Sequence, residues 1–172
     1  MALRRLFPAL LPLALLLSAC GRSAPQGVVP AGDRKLVAQV AYLDAEGQRH
    51  TLTEHSGKVV LVDVWATWCP PCRASLPEVA ALQQQGGQDY VVLAVSVDRN
   101  GWADVKPFLE ANRNLGLSAV LPDGRGALAP FGPIRGIPTT LVIDRHGRLR
   151  ERWSGYSEGR AARALEAALQ ES

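Results

Sequence analysis

The sequence is poor in the residues that build metal clusters and disulfide frameworks: among 172 residues there are three cysteines, three histidines and one methionine. Cys20 stands alone, while Cys69 and Cys72 form a pair, which excludes a multi-bridge scaffold or a cysteine-rich metal site. His50, His55 and His146 fall at no ligand spacing to that pair, and zinc needs four ligands, or three and a water. Met1, the only methionine, brings no thioether to the pair. Charge of one sign is also scarce. The chain carries 19 basic and 16 acidic residues, and setting aside Arg4 and Arg5 leaves 17 basic ones. No Lys/Arg stripe is interleaved with aromatics, which argues against nucleic acid. Nor does any apolar run reach the ~20 residues of a spanning helix. What remains is a globular balance, 47% hydrophobic and 20% charged. The length suits one ordinary domain and not two.

The first residues read as a targeting segment. Arg4 and Arg5 form a basic start, residues 6–17 are apolar with Pro8 and Pro12 among them, and Leu17-Ser18-Ala19-Cys20 follows. A basic start, a short apolar core and small residues before the cut describe a secretory signal. Leu-Ser-Ala-Cys resembles a bacterial lipobox, which implies cleavage before Cys20 and its acylation. Several acyl chains then hold a protein stably on a membrane. The alternative is ordinary cleavage near Ala19. Arg4-Arg5-Leu6-Phe7 partly resembles a twin-arginine signal, so the export route stays open. The expected layout is a signal peptide over 1–19, a flexible Gly/Pro/Ala/Ser tether over 20–33, and one domain over 34–172. That domain lies outside the cytoplasm, on a bacterial membrane and on its periplasmic face, where disulfide chemistry is possible.

From residue 35 strands and helices alternate. Residues 36–43 and 49–52 are predicted strands around the turn Asp44-Ala45-Glu46-Gly47. The β-branched run 58–66 suits a strand buried on both faces. A helix starts near Cys69, with Pro70 and Pro71 in its first turn, and ends at Gly86-Gly87. Residues 90–97 form a second buried strand. Asp104 is positioned to cap a helix running to Arg113. A short strand over 118–121 follows, then strands over 138–144 and 148–153 joined by Arg145-His146-Gly147. A last helix over 158–170 places Ala161, Leu165, Ala168 and Leu169 on one face. The order gives an α/β domain with a central mixed sheet and helices on both sides.

The chemistry concentrates in Trp65-Ala66-Thr67-Trp68-Cys69-Pro70-Pro71-Cys72. Two cysteines at this spacing close a small disulfide ring. At a helix start the first thiol meets outward N–H groups and a dipole that favours an anion, so its pKa falls. The second lies one turn inward, within reach of a mixed disulfide on the first. A bare C-x-x-C is a weak signal, but after a buried strand and at the head of a helix it is specific. The alternatives are half of a zinc site and a purely structural disulfide. Against zinc, Pro70 and Pro71 also remove two N–H groups that commonly solvate metal-bound sulfur.

Asp63-Val-Trp-Ala-Thr-Trp-Cys-Pro-Pro-Cys72, followed by Gly136-Ile137-Pro138-Thr139-Thr140, resembles the thioredoxin superfamily, and the longer pattern its TlpA/ResA-type branch of anchored extracytoplasmic reductases. The resemblance covers residues 33 to the C-terminus. It implies a thioredoxin-like fold with an N-terminal strand pair and a central insert between Asp98 and Ile137. It implies Cys69 as attacking and Cys72 as resolving thiol. Pro138 is expected to be cis beside Cys69, shaping a substrate groove with Ile137 and Trp68. No cofactor and no metal are implied, and a monomer is expected. The implied partners are disulfide-containing exported proteins, apocytochrome c among them, and a membrane thiol-electron donor.

The chain departs from that branch at two positions. Ser75 stands where an acid is frequent three positions after the second cysteine, and Asp63 stands where Asn is frequent. Asp63 instead matches the buried acid of plain thioredoxins, six positions before the first cysteine. It is therefore expected behind Cys72 as the proton carrier, with satisfaction by backbone N–H groups as the alternative. Glu78 is expected to face solvent or the insert. Trp65 is expected at the packed end of its strand, and Arg73 in solvent beside the dithiol. Two other readings stay open: a disulfide oxidase or isomerase, and a metal- or partner-binding module of the same fold, for example one delivering copper(I).

Overall fold

The computed structural model describes residues 26–171. The signal peptide expected over 1–19 and Cys20 lie outside the described residues. Seven strands form one mixed sheet: β1 (Ala41–Leu43), β2 (Arg49–Thr51), β3 (Val59–Trp65), β4 (Tyr90–Ser96), β5 (Ala119–Pro122), β6 (Thr139–Ile143) and β7 (Leu149–Ser154), in the order β2-β1-β5-β4-β3-β6-β7. The helices are α1 (Pro70–Gln85), α2 (Trp102–Ala111) and α3 (Arg160–Leu169). β3 lies in the middle of the sheet, parallel to β4 and antiparallel to β6. All seven of its residues are buried, which is what its unbroken β-branched run requires.

Alternation along β3 divides the core. Val59, Leu61 and Trp65 pack with Leu76 and Val79 of α1, Val105 of α2 and Leu165 of α3. Val60, Val62 and Val64 face the other way, onto Val37, Val40, Leu52 and Phe131. The three α-helices thus share one face. On the second face the helical cover is short: Leu52 and Phe131 come from the 3-10 helices Leu52–His55 and Ala129–Phe131, and the rest is coil.

Two segments differ from expectation. The strand expected over 36–43 is shortened to β1. Residues 36–40 leave the hairpin and turn back to the far edge, where Leu36 bridges Arg148. Helix α2 begins at Trp102 behind a Gly101 cap, so Asp104 sits in its first turn instead of capping it, and accepts from the Asn100 backbone and side-chain N–H groups.

The expected flexible tether over 20–33 is corrected at its far end. Residues 27–29 pair along β7: the Val29 N–H donates to Arg150 O at 2.7 Å and the Arg152 N–H to Gly27 O at 3.0 Å, and a 3-10 helix follows over Ala31–Asp33. The reason is the exposed edge of β7, whose unpaired backbone groups take any strand that can lie flat on them. A pair of valines, Val28 and Val29, among Gly, Pro, Ala and Ser is too short an apolar run to reveal that pairing. Gly27 makes the approach possible, since it has a φ of +100° and a Cβ there would lie 2.3 Å from Arg152 O. Gly27→Ala is therefore expected to release this segment. Amide hydrogen exchange at Val29 and Arg152 should rise ~10-fold or more while the Leu61 amide stays protected. Unchanged protection at both edge amides would contradict the docking.

Candidate active site

β3 delivers the chain to the sheet's C-terminal end, where Ala66–Trp68 turn into α1. Cys69 is the N-cap residue of α1, and Pro70 and Pro71 occupy the first two helical positions. Their fixed φ suits that turn, but they also remove two of its free N–H groups. The Cys72 N–H is left to donate to Cys69 Sγ, at 3.2 Å. The two cysteines form a disulfide across Cα atoms 5.2 Å apart. Cys72 is fully buried and Cys69 is 3% exposed, so what surface the pair has belongs to Cys69. Trp68, 67% exposed, stands beside it, and Pro70 and Pro71 are also at the surface.

The antiparallel partner β6 brings the second motif to the same end. The Ile137–Pro138 bond is cis, and Ile137 O lies 3.7 Å from Cys69 Sγ. Pro138 O accepts from the Gly155 N–H at 2.8 Å, and Thr139 Oγ1 donates to Gly136 O at 2.6 Å, so the loop is held from both sides.

Asp63 lies inside the sheet below this end and is 1% exposed. Thr140 Oγ1 donates to its Oδ1 at 3.0 Å, and Oδ2 has no partner. Oδ2 belongs to a carboxyl that lines a narrow cavity, with room for about one water, shared with Ser75, Pro138, Thr140 and Glu78. Burial pushes the Asp63 carboxyl up to about 6. The Thr140 hydroxyl pulls it back and the charge of Glu78 adds to the rise. Ser75 spends its hydroxyl on the helix, donating to Cys72 O at 2.8 Å.

The structure brings Cys69, Cys72, Trp68, Ile137, Pro138 and Asp63 to one end of the sheet; Cys20 lies outside the described residues. Two residues were missed. Asp98, at the end of β4, accepts from the Thr67 N–H at 2.9 Å, from Thr67 Oγ1 at 2.8 Å and from Ser96 Oγ at 2.8 Å, fixing the loop before Cys69. Its only sequence signal is an acid directly after a buried strand. Glu78 faces neither solvent nor the insert but the start of α3, where it accepts from two backbone N–H groups. Nothing in its spacing marks that contact. Arg73 stacks over the Phe108 ring at 5.7 Å. The histidines are engaged elsewhere or exposed: His50 bonds Asp44 and Glu54, His55 bonds Tyr42, and His146 sits in the β6–β7 turn.

The Redoxin family profile matches residues 21–169. The chain belongs to the Redoxin family. Within it, the thiol-disulfide oxidoreductase ResA of Geobacillus thermodenitrificans is 32% identical over 111 residues, covering 63% of this chain and 61% of the relative. The thiol:disulfide interchange protein DsbE of Pseudomonas aeruginosa is 33% identical over 108 residues, covering 63% and 57%. The alignments thus span about three fifths of the length of these relatives. The crystal structure of a pneumococcal exposed lipoprotein thioredoxin, Etrx1 of Streptococcus pneumoniae, superposes with a TM-score of 0.64 at 29% identity, covering 74% of this chain and 97% of that one. This Redoxin-family chain is a thiol–disulfide oxidoreductase of the ResA/DsbE type with a thioredoxin-like fold, and Cys69–Cys72 is its cysteine pair.

Two stability outcomes follow from the site of this Redoxin-family chain. Its Asp63 holds a proton more tightly folded than unfolded, so ionising it costs stability as pH rises from about 4 through 6. Asp63→Asn is expected to be more stable than wild type by about 1–3 kcal/mol at pH 8 and to lose that advantage near pH 4. Urea unfolding at the two pH values measures this, and a variant destabilised equally at both would contradict it. Asp98→Ala leaves the Thr67 and Ser96 donors unpaired and is expected to cost about 2–3 kcal/mol in the same assay. A loss below ~0.5 kcal/mol would mean that the loop stands without the carboxylate.

Proposed function

We propose that this protein reduces disulfides of exported proteins from a lipid anchor on Cys20, cycling Cys69 and Cys72 between dithiol and disulfide. The observation that carries the chemistry is the meeting of Cys69 Sγ with Ile137 O beside cis-Pro138, flanked by the exposed Trp68. An extended substrate segment laid on that loop would bring its own disulfide to the one sulfur with surface. The Cys69 thiolate attacks it, a mixed disulfide forms, and the reduced substrate leaves when Cys72 attacks Cys69. The Cys72 proton passes to Asp63, through one water in the cavity that both Asp63 and Ser75 line.

The direction is supported by what the helix start lacks. A thiolate well solvated by helix N–H groups stabilises the dithiol form and makes a pair oxidising. With Pro70 and Pro71 in place, Cys69 Sγ keeps the single Cys72 N–H. The buried acid behind the pair also disfavours a thiolate at Cys72. Both push toward the reducing side. The signal and lipobox pattern of residues 1–20 supports an extracytoplasmic site, on the periplasmic face, as does the likeness to an exposed lipoprotein thioredoxin. Apocytochrome c cysteines are the substrate class that the TlpA/ResA resemblance favours, with electrons from a membrane thiol donor.

Cys72→Ser tests the reading. The variant is expected to hold its substrates as mixed disulfides on Cys69, released by dithiothreitol and seen as adducts on non-reducing gels of the membrane fraction. A reactive Cys69 that captures nothing would count against substrate reduction. A purified wild type with a reduction potential near that of DsbA would reverse the direction in favour of an oxidase.

A further inference from the structure

Glu78 lies on α1 two turns inward from Cys72, and its carboxylate is not free to swing. Oε2 accepts from the Gly159 N–H at 3.1 Å and Oε1 from the Ala162 N–H at 3.4 Å. These amides open α3, where backbone N–H groups have no partner within the helix. The same side chain lines the cavity onto which Asp63 faces. Asp63 Oδ2 is buried and unpartnered there, which marks a place where a proton or a water is exchanged. Facing the two acids are Ser75 from α1, Thr140 from β6, and Tyr156 and Ser157 from the loop after β7. Among the described residues, no Lys or Arg lines the cavity. Glu78 is thus the second carboxylate on the wall of the cavity that Asp63 lines.

We propose that Glu78 is a positioning residue for proton transfer at Asp63, its carboxylate pinned at the start of α3 so that α3 becomes part of the redox site. This rests on Asp63 as the proton carrier. In the resolving step the Cys72 thiol gives its proton through a water to the Asp63 carboxylate. The Cys72 sulfur bonds to Cys69, the bond from Cys69 to the substrate sulfur breaks, and the substrate leaves as a thiolate that takes a proton from solvent. The two electrons of the dithiol pass to the substrate. Asp63 then returns its proton to solvent past Glu78. A fixed negative charge on the cavity wall makes Asp63 the stronger base and so speeds its uptake of that proton. The charge of Glu78 and the burial of Asp63 act in the same direction.

The test is disulfide reduction against pH for wild type, Glu78→Gln, Asp63→Asn and the double variant. Gln keeps an acceptor oxygen for one of the two α3 amides and removes the charge. In wild type an inflection is expected near pH 6. Glu78→Gln should move it to lower pH by roughly a few tenths of a pH unit. Asp63→Asn should abolish it, and the double variant should match Asp63→Asn. If Glu78→Gln leaves the inflection in place while Asp63→Asn removes it, the inference falls and the Asp63 reading stands. If Asp63→Asn keeps the inflection, both fall. A double variant that differs from Asp63→Asn overturns the inference, because Glu78 then acts elsewhere. Infrared titration of the Asp63 carboxyl in Glu78→Gln reads the same shift without turnover, and no movement there also overturns it.

Discussion

In the middle of the sheet Val64 stands opposite Thr139 and Asp63 opposite Thr140, and the site hangs on this register between β3 and β6. It puts the end of β3, from which the chain turns to Cys69, beside the start of β6, which Pro138 precedes. It also puts the Thr140 hydroxyl within 3.0 Å of Asp63. Side chains alternate along a strand, so a slip of one residue would turn Thr140 to the opposite face and drive an apolar neighbour against the acid. The register is held by the even residues of β3, Val60, Val62 and Val64, packed on one face, and by Val59, Leu61 and Trp65 packed on the other. A strand buried on both sides has no cheap alternative pairing.

Holding Asp63 in that strand is costly, and the cost explains its character. A carboxylate without full hydrogen bonding in a dry sheet resists ionisation. Thr140 offers one donor and, among the described residues, the second oxygen has none, so the acid is pushed up to about 6. Ser75, at the helix position where the TlpA/ResA branch often carries an acid, bonds the backbone of Cys72. The acid has moved from the redox helix to the strand beneath it. There the cavity that it shares with Ser75, Pro138 and Glu78 stands in place of a direct contact.

Most of the fold was legible because it is written locally. The run Val-Val-Leu-Val-Asp-Val-Trp reads as a buried strand, Cys-Pro-Pro-Cys as a helix start, and Gly86-Gly87 as its end; each appears within a residue or two of its expected place. The pairing of the cysteines was legible in their spacing, and the cis bond at Pro138 came from motif resemblance. What escaped is what only tertiary approach creates. Residues 27–29 dock by backbone pairing to a strand more than a hundred residues away, Asp98 is one acid among sixteen until Thr67 folds over it, and Glu78 meets α3 from another part of the chain. The second face also escaped, since coil and 3-10 turns can fill a sheet face without any helical periodicity to announce them.

The two sulfurs are three residues apart in sequence yet belong to different surroundings. Cys69 has the edge of the molecule, the amide of Cys72, and a loop carbonyl at van der Waals distance. Cys72 has none of the surface and sits in the first turn of α1, the helix that carries Ser75 and Glu78 to the cavity Asp63 also lines. α1 is tied to two different elements: Asp98 fixes the loop that enters it, and Glu78 fixes its middle to α3. Held at both places, α1 keeps Cys69 as the sulfur with surface and Cys72 as the enclosed one.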